Sequence, residues 1–174
     1  ELVTGGASLF QEGRYDDAET LLEEALEAYE EAVGPDAREL ANALIWLGSV
    51  YKEQARYMEA IPVFTRALRI YEGTLGSDDA LVADVLTWLG SIYYEQGRYL
   101  EAAPLFARAL DIYQKTLGED APKVADALTW LGSIYREQGR SEEAESLFLR
   151  VSAIQASRTD SLLASADELL DEAS

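Results

Sequence analysis

The amino-acid sequence repeats itself every 42 residues. The stretch Leu-Gly-Ser-Val-Tyr at 47–51 returns as Leu-Gly-Ser-Ile-Tyr at 89–93 and again at 131–135. Between residues 83–110 and 125–152, 19 of 28 aligned residues are identical. A fixed period of about 20–50 residues is typical of stacked repeat proteins, because each unit can bury its apolar face only against a neighbour. The sequence therefore predicts a curved surface that holds a partner, rather than a closed core built around an active site.

Within each unit the apolar residues recur at intervals of three and four, which is the spacing of one face of an α-helix. In the third unit, Leu86, Leu89 and Tyr93 form one such run, and a second run follows Gly97. The pattern predicts two helices per unit and eight in the four units. We predict these helices at about 1–12, 16–33, 37–54, 58–75, 79–96, 100–117, 121–138 and 142–156.

Two kinds of glycine turn separate the predicted helices. In three units a glycine follows the first helix, at a place where a left-handed residue commonly ends a helix. Ala55 stands at this place in the second unit, which predicts that the turn does not require a positive φ in every unit. Between units, Gly-x-Asp turns place an aspartate where it can accept hydrogen bonds from the start of the next helix. The glycines are Gly13, Gly97 and Gly139, and the Gly-x-Asp turns lie at 34–36, 76–78 and 118–120.

The sequence after about residue 156 departs from the repeat, because the glycine turn between units is missing there. Asp160 and Ser161 instead open an amphipathic stretch. Since a solenoid needs an end unit with one polar face, we predict a capping helix over 157–174. The apolar residues expected to cover the last helix pair are Leu162, Leu163, Ala166, Leu169 and Leu170.

The composition excludes several kinds of chemical site. The chain contains no Cys and no His. It therefore has no disulfide and no cysteine nucleophile, and it lacks the commonest metal ligand and general base. Glu53, Glu95 and Glu137 lie one unit apart, too far to share a proton, and no loop has the spacing of a calcium site. We predict a non-enzyme without cofactor or metal, in which these carboxylates are surface charges.

The charge is strongly acidic, with 33 Asp and Glu against 14 Lys and Arg and a net charge of −19. Such a field repels phosphate backbones and anionic lipids, so we expect neither nucleic acid nor a membrane as partner. It favours solubility in any protein, or alternatively a preference for basic partners. The first residues lack the features of a signal peptide, and we expect a cytoplasmic location. The absence of an initiator Met indicates a segment of a longer protein.

Each unit resembles the tetratricopeptide repeat, since small residues stand where two helices touch and large ones stand between them. The 42-residue length, rather than 34, is similar to the class found in kinesin light chains. The resemblance implies an all-α, right-handed α-solenoid of four helix-turn-helix repeats at about 1–36, 37–78, 79–120 and 121–156, with the capping helix behind them. The matching residues are Leu47, Gly48, Tyr51, Ala60, Phe64 and Ala67; Leu89, Gly90, Tyr93, Ala102, Phe106 and Ala109; Leu131, Gly132, Tyr135, Ala144 and Phe148; and, in the first unit, Gly6, Leu9, Ala18, Leu22 and Ala25.

In that family the first helix of each unit lines a concave groove, and the resemblance implies which residues face it. Trp46, Trp88 and Trp130, the three tryptophans of the chain, form one column at 42-residue spacing. Either each indole packs against the neighbouring unit, or the indoles stand in the groove and hold apolar or cationic side chains of a partner. The other columns are Ser49, Ser91 and Ser133; Lys52, Tyr94 and Arg136; Glu53, Glu95 and Glu137; Asn42, Asp84 and Asp126; and Ile45, Thr87 and Thr129.

The fold serves many partners, so it implies protein binding without naming the partner. We interpret the chain as a non-catalytic protein–protein interaction scaffold that holds a peptide or helix, basic or apolar, in the groove. A clamp for a C-terminal carboxylate is absent, since Ile45 and Thr87 stand where clamp-type members carry Lys, Arg or Asn. The alternatives are a self-assembly module that forms homo-oligomers and a regulatory or sensor arm of a larger multidomain enzyme.

Overall fold

The computed structural model describes residues 1–34 and 37–172, and the side chains of all of these except 161 and 165–172. This part of the chain consists of eight α-helices joined by short turns and contains no β-strand. The bounds of the first seven helices lie within one residue of those predicted. The helices are α1 (Leu2–Gln11), α2 (Tyr15–Val33), α3 (Arg38–Glu53), α4 (Tyr57–Leu75), α5 (Ala80–Glu95), α6 (Tyr99–Leu117), α7 (Pro122–Glu137) and α8 (Ser141–Glu172).

The helices stack in chain order. The main contacts of each helix are with the helix before it and the helix after it, and α1 also contacts α3. Consecutive helices pair as α1 with α2, α3 with α4, α5 with α6, and α7 with α8, so that one 42-residue unit is one helix pair. The all-α solenoid predicted from the period is therefore confirmed.

A glycine in the first helix and a phenylalanine in the second helix form the centre of each later unit. Phe64 and Phe106 have no exposed surface, and each ring lies against the glycine of its own unit. A Cβ atom built on Gly90 would lie 2.9 Å from two ring carbons of Phe106. A Cβ atom built on Gly48 would lie at the same distance from ring carbons of Phe64. Phe148 is in the same contact with its glycine but is only partly buried, because no further helix pair covers it in the described structure.

The turn within each unit has a left-handed residue in every case, including the unit that lacks glycine. Ala55 has φ 58°, close to the 70° of Gly97. Its N–H donates to the Lys52 carbonyl (2.9 Å), and the Arg56 N–H donates to the Tyr51 carbonyl (2.8 Å). In the third unit the Gly97 and Arg98 N–H groups make the same pair of bonds, and this is the arrangement of a Schellman C-cap. The prediction that the turn at Ala55 does without a positive φ is wrong, because the paired hydrogen bonds hold the Ala55 backbone in the left-handed conformation.

Replacing Ala55 with glycine should raise the free energy of unfolding by about 0.5–1 kcal/mol. A left-handed conformation costs an L-residue about 1–2 kcal/mol, and the greater freedom of glycine in the unfolded chain offsets part of that gain. Urea denaturation followed by circular dichroism measures the change. The matched control is Gly97→Ala, which should lower stability by a similar amount. A stabilising Gly97→Ala would contradict this account of the turn.

The turns between units keep their glycines but use the aspartates differently from the prediction. Gly76 has φ 92° after α4, and Asp79, rather than Asp78, caps α5 by accepting a hydrogen bond from the Leu81 N–H (2.8 Å). Helix α7 has Ala121 at its N-cap without a side-chain bond, and proline takes its first position. Proline suits this position because it has no N–H to satisfy. The aspartate of the first such turn, Asp36, lies outside the described residues.

An arginine braces each later turn within a unit. The Arg98 guanidinium lies 4.4 Å from the centre of the Tyr93 ring and donates through Nε to Glu101 (2.8 Å). The same contacts join Arg56 to Tyr51 and Glu59, and Arg140 to Tyr135 and Glu143. The hydrogen bond from Arg98 holds the pKa of Glu101 below its ordinary value. This brace joins the end of the first helix to the start of the second.

Helix α8 differs from the prediction. It runs without a break from Ser141 to Glu172, over 32 residues, whereas the other second helices have 19. No glycine or proline follows Gly139 in the sequence, so nothing forces the helix to stop or turn back. Leu162 and Leu163 are 69% and 60% exposed, so the expectation that they cover the last helix pair is wrong. The side chains of Ala166, Leu169 and Leu170 lie outside the described residues.

Candidate partner-binding groove

The three tryptophans lie on equivalent faces of α3, α5 and α7, and each packs against an aromatic ring of the preceding unit. Trp88 stacks on Phe64 with ring centres 5.7 Å apart, and Trp130 stacks on Phe106 at 5.2 Å, with the planes only 10° apart. Trp46 meets Phe10 edge-on at 5.6 Å, since the first unit has a leucine where later units have the phenylalanine. The indoles therefore help to join one helix pair to the next.

All three indoles are nevertheless only half-buried. A phenylalanine covers one part of each ring, and another part remains accessible to solvent. The two interpretations of the tryptophan column, packing and exposure, are thus not exclusive. We call the surface of α3, α5 and α7 that carries Trp46, Trp88 and Trp130 the tryptophan face.

The serine column contributes little to that face. The Ser49 hydroxyl donates to the Ile45 carbonyl (2.9 Å), and the Ser91 hydroxyl donates to the Trp88 carbonyl (2.8 Å). Both donors are therefore used within their own helices. Ser91 is 6% exposed, whereas Ser49 and Ser133 are half-buried. A small side chain lets neighbouring helices approach, and close approach is a sufficient reason for serine in this column.

The variable column has a different environment in each unit. Lys52 is half-buried, with Nζ 3.2 Å from a carboxylate oxygen of Glu95. Tyr94 packs its ring against Tyr99 at 5.3 Å and against Trp130 at 5.2 Å. Arg136 is exposed, and its guanidinium lies 5.8 Å from the centre of the Phe148 ring. A partner that spans the units would therefore meet a cation, a phenol and a second cation in turn.

The glutamate column is also uneven. Glu53 and Glu137 are exposed. Glu95 interacts with Lys52 and also accepts a hydrogen bond from the Tyr57 hydroxyl (2.7 Å), a contact that crosses from the second unit to the third. This hydrogen bond raises the pKa of Tyr57. Glu53 also pairs with Lys52, with Nζ 3.9 Å from its Oε1, so Glu137 is the carboxylate of this column that has no ion pair among the described residues.

Two buried tyrosines of the second helices hold polar side chains of this face, and they are not among the site residues predicted from the sequence. The Tyr71 hydroxyl donates to the Asn42 side-chain oxygen, and the Tyr113 hydroxyl donates to Asp84 in the equivalent contact one unit later. Burial raises the pKa of Tyr113, and the hydrogen bond to Asp84 raises it further. The signal was present in the sequence, since Tyr29, Tyr71 and Tyr113 repeat at 42-residue spacing.

A cavity of about 230 Å³ lies beside Trp88, where α5, α6 and α7 meet. Lys123 of α7 donates to both carboxylate oxygens of Asp84, at 2.6 and 2.8 Å. The Lys123 Nζ is also 5.5 Å from the centre of the Tyr113 ring. We call this space the Trp88 cavity; it is lined by Asp84, Thr87, Trp88, Tyr113, Lys123, Asp126 and Ala127.

The described residues contain no group of three or more acidic side chains arranged to hold a metal ion. In the same part of the chain, no helix combines the length and the apolar character needed to cross a membrane.

Comparison with solved structures reveals the same architecture in other repeat proteins. BtubC (BKLC) from P. vanneervenii superposes with a TM-score of 0.85 at 23% identity, over 91% of this chain and 63% of that one. The apo form of RapI superposes with a TM-score of 0.80 at 15% identity, over 98% of this chain and 60% of that one. Both proteins are longer, so the chain corresponds to less than two thirds of either.

A putative kinesin light chain from Podospora anserina, with nearly identical TPR-like repeats, matches with a TM-score of 0.57 at 17% identity. That match covers 90% of this chain and 94% of the other. The similarity to the kinesin light chain class inferred from the 42-residue period is therefore confirmed at the level of the fold. No curated protein matches the sequence.

Residues 6–73 and 81–157 match the tetratricopeptide repeat, in two segments that each span two helix pairs. The gap between the segments contains the turn between α4 and α5, so the boundary falls between units. Together the segments include nearly all of the solenoid. The chain belongs to the tetratricopeptide repeat family.

Proposed function

We propose that the chain is a non-catalytic interaction module that holds a peptide or helix of a partner protein along the tryptophan face. The observation that carries the proposal is the row of three indoles, which are half-buried and keep part of their surface accessible at equivalent positions of α3, α5 and α7. Large aromatic side chains provide much of the binding energy in protein interfaces. A row of them with a constant spacing suits an extended ligand better than a compact one.

The surroundings of the indoles support a ligand with apolar or basic side chains. Trp88 and Trp130 each have one face against a buried phenylalanine, so the rings are held rigidly and lose little freedom on binding. Glu53, Glu137 and Asp126 are exposed along the same surface, and the chain as a whole has a net charge of −19. This charge would speed the approach of a basic partner.

Replacing Trp88 with alanine should weaken partner binding by about 2 kcal/mol, or roughly 30-fold in the dissociation constant. The probe is a peptide selected against the wild-type chain from a random displayed library, with its affinity measured by fluorescence anisotropy. Stability should fall as well, because the ring also packs on Phe64, so circular dichroism must verify that the variant is folded at the temperature of the assay.

The control for this test is Leu100→Ala. Leu100 is 84% exposed and lies on α6, which is not one of the three helices that carry the tryptophans. Binding should be unchanged in this variant. If Leu100→Ala abolishes binding and Trp88→Ala leaves it intact, the partner uses another surface and the proposal fails.

Self-assembly is the second candidate, and one observation favours it. The adjacent Leu162 and Leu163 of helix α8 are both more than half exposed, and exposed apolar patches often mark an interface. A homo-oligomer formed through α8 would show a mass that rises with concentration in size-exclusion chromatography with light scattering, whereas a monomer would keep one mass.

A role as the regulatory arm of a larger enzyme remains the third candidate, because the chain spans only part of the longer structures that it matches.

A further inference from the structure

The Trp88 cavity has the size and shape of a site for one side chain. Its volume of about 230 Å³ is below the roughly 300–1,000 Å³ of pockets that enclose a small-molecule ligand. It opens on the tryptophan face between the third and fourth units, so a peptide lying along that face could place a long side chain in it. Trp88 supplies aromatic surface and Asp84 and Asp126 supply charge, whereas Tyr113 lines the cavity but is buried.

The chain already places one cation at this cavity. The Lys123 ammonium lies within hydrogen-bond distance of both Asp84 oxygens and 5.5 Å from the centre of the Tyr113 ring. A carboxylate and an aromatic ring thus act together on a positive charge, as they do in known cation–π sites. Lys123 neutralises only one of the two aspartates.

Asp126 is the cavity aspartate that Lys123 does not neutralise. It is exposed, and among the described residues it has neither a hydrogen bond nor an ion pair through its side chain. The Trp88 indole lines the same cavity, with Phe64 stacked on it from the preceding unit. The cavity therefore combines a rigid indole with an unpaired carboxylate.

We propose that the Trp88 cavity binds an arginine side chain of the partner, with the guanidinium stacked on Trp88 and hydrogen-bonded to Asp126. This inference rests on the proposed function, because it names one residue of the ligand that the tryptophan face would hold. Arginine fits better than lysine, since its planar guanidinium can stack on an aromatic ring and bind a carboxylate through two parallel hydrogen bonds. Lysine offers a compact and strongly hydrated charge instead.

The repeat supplies an internal comparison. One unit earlier, the positions equivalent to Asp84, Thr87 and Lys123 are Asn42, Ile45 and Leu81. Trp46 therefore has an amide and aliphatic side chains around it, and the position of Asp126 is taken there by Asp84, which Lys123 and Tyr113 already bind. The two indoles share a fold position but differ in charge environment.

The experiment uses the full chain labelled with ¹⁵N and the Nε1–H signals of its three indoles. N-acetyl-arginine amide is titrated, and N-acetyl-citrulline amide, which has nearly the same shape but no charge, serves as the control ligand. We expect the chemical shift of the Trp88 Nε1–H signal to change with the arginine derivative until the site is saturated. The dissociation constant should be about millimolar for so small a ligand. The Trp46 signal should stay in place, and the citrulline derivative should move neither.

Two variants make the test specific. Asp126→Asn keeps the shape of the side chain and should lower the affinity for the arginine derivative by about tenfold or more, as expected for loss of a charge-assisted hydrogen bond. Lys123→Met should raise this affinity several-fold, because the Asp84 carboxylate then becomes a second acceptor for the guanidinium. Equal shifts at Trp46 and Trp88, equal responses to citrulline and arginine, or an unchanged affinity in Asp126→Asn would each overturn the inference.

Failure of the inference and failure of the proposed function give different results. If a library-selected peptide loses affinity in Trp88→Ala while the arginine derivative binds nowhere, the tryptophan face holds a partner but the cavity does not select arginine. If the arginine derivative binds at Trp88 while the peptide depends on another surface, the cavity has the inferred preference and the proposed function is wrong.

Discussion

Replacing Phe106 with alanine should lower the free energy of unfolding by about 3–5 kcal/mol, the range found when a fully buried phenylalanine is truncated. The ring has no exposed surface. It fills the space between Gly90 of its own unit and Trp130 of the next, which stacks on it at 5.2 Å. The cavity left by the change would therefore loosen both a helix pair and the interface to the following pair. Urea denaturation monitored by circular dichroism measures the loss.

Phe148→Ala is the matched control, because Phe148 occupies the equivalent position in the last unit. Its ring meets Gly132 but is only partly buried, and the described structure has no tryptophan on its other side. The loss should be clearly smaller, about 1–2 kcal/mol, since less apolar area leaves water on folding. Equal losses at the two positions would mean that the stacking between units contributes little.

Replacing Gly90 with leucine should destabilise the chain by about 3 kcal/mol, at the upper end of the usual cost of overpacking. Even the first added carbon would lie 2.9 Å from the Phe106 ring, and that ring is itself enclosed. The two helices would have to separate, and their separation would disturb the contact with Trp130 as well. The measurement is again equilibrium denaturation, with the m-value compared between variants to check that the unfolded state is unchanged.

Gly73→Leu provides the control of opposite sign. Gly73 lies in the interior of α4, is exposed, and has no atom within 4 Å of the place where a Cβ would stand. Leucine is the better helix former by roughly 0.5–1 kcal/mol, so this variant should be more stable than the wild type. If both changes lower stability, the effect at Gly90 does not arise from the contact with Phe106.

The repeat made the fold accessible from the sequence. The resemblance to the tetratricopeptide repeat placed Gly90 and Phe106 at one helix contact, and their equivalents in the other units agreed with that placement. The same reasoning failed where the repeat ends. After Gly139 no glycine or proline interrupts the chain, and the amphipathic pattern around Leu162 does not by itself show where a helix ends. The prediction for Ala55 failed for a related reason, because the residue type does not reveal the two hydrogen bonds that fix its backbone.

The candidate site was only partly accessible. The positions of Trp46, Trp88 and Trp130 followed from the period, but their half-burial depends on how far each ring reaches towards the previous unit. The Trp88 cavity was not predictable in this way. It requires Tyr113 from a second helix and Lys123 from the next unit to meet Asp84, and the spacing of residues along the chain does not reveal which side chains converge between helices.

The stacking of helix pairs on their immediate neighbours has a mechanical consequence. A compact domain resists bending through contacts in all directions, whereas a stack of pairs bends by small rotations at each interface, which add up along its length. The distances between the three indoles can then change while each phenylalanine ring stays in contact with the glycine of its own unit. A ligand that bridges α3, α5 and α7 would restrict the rotations at all of these interfaces at once. The curvature of the molecule would thus be a property of the complex as much as of the chain.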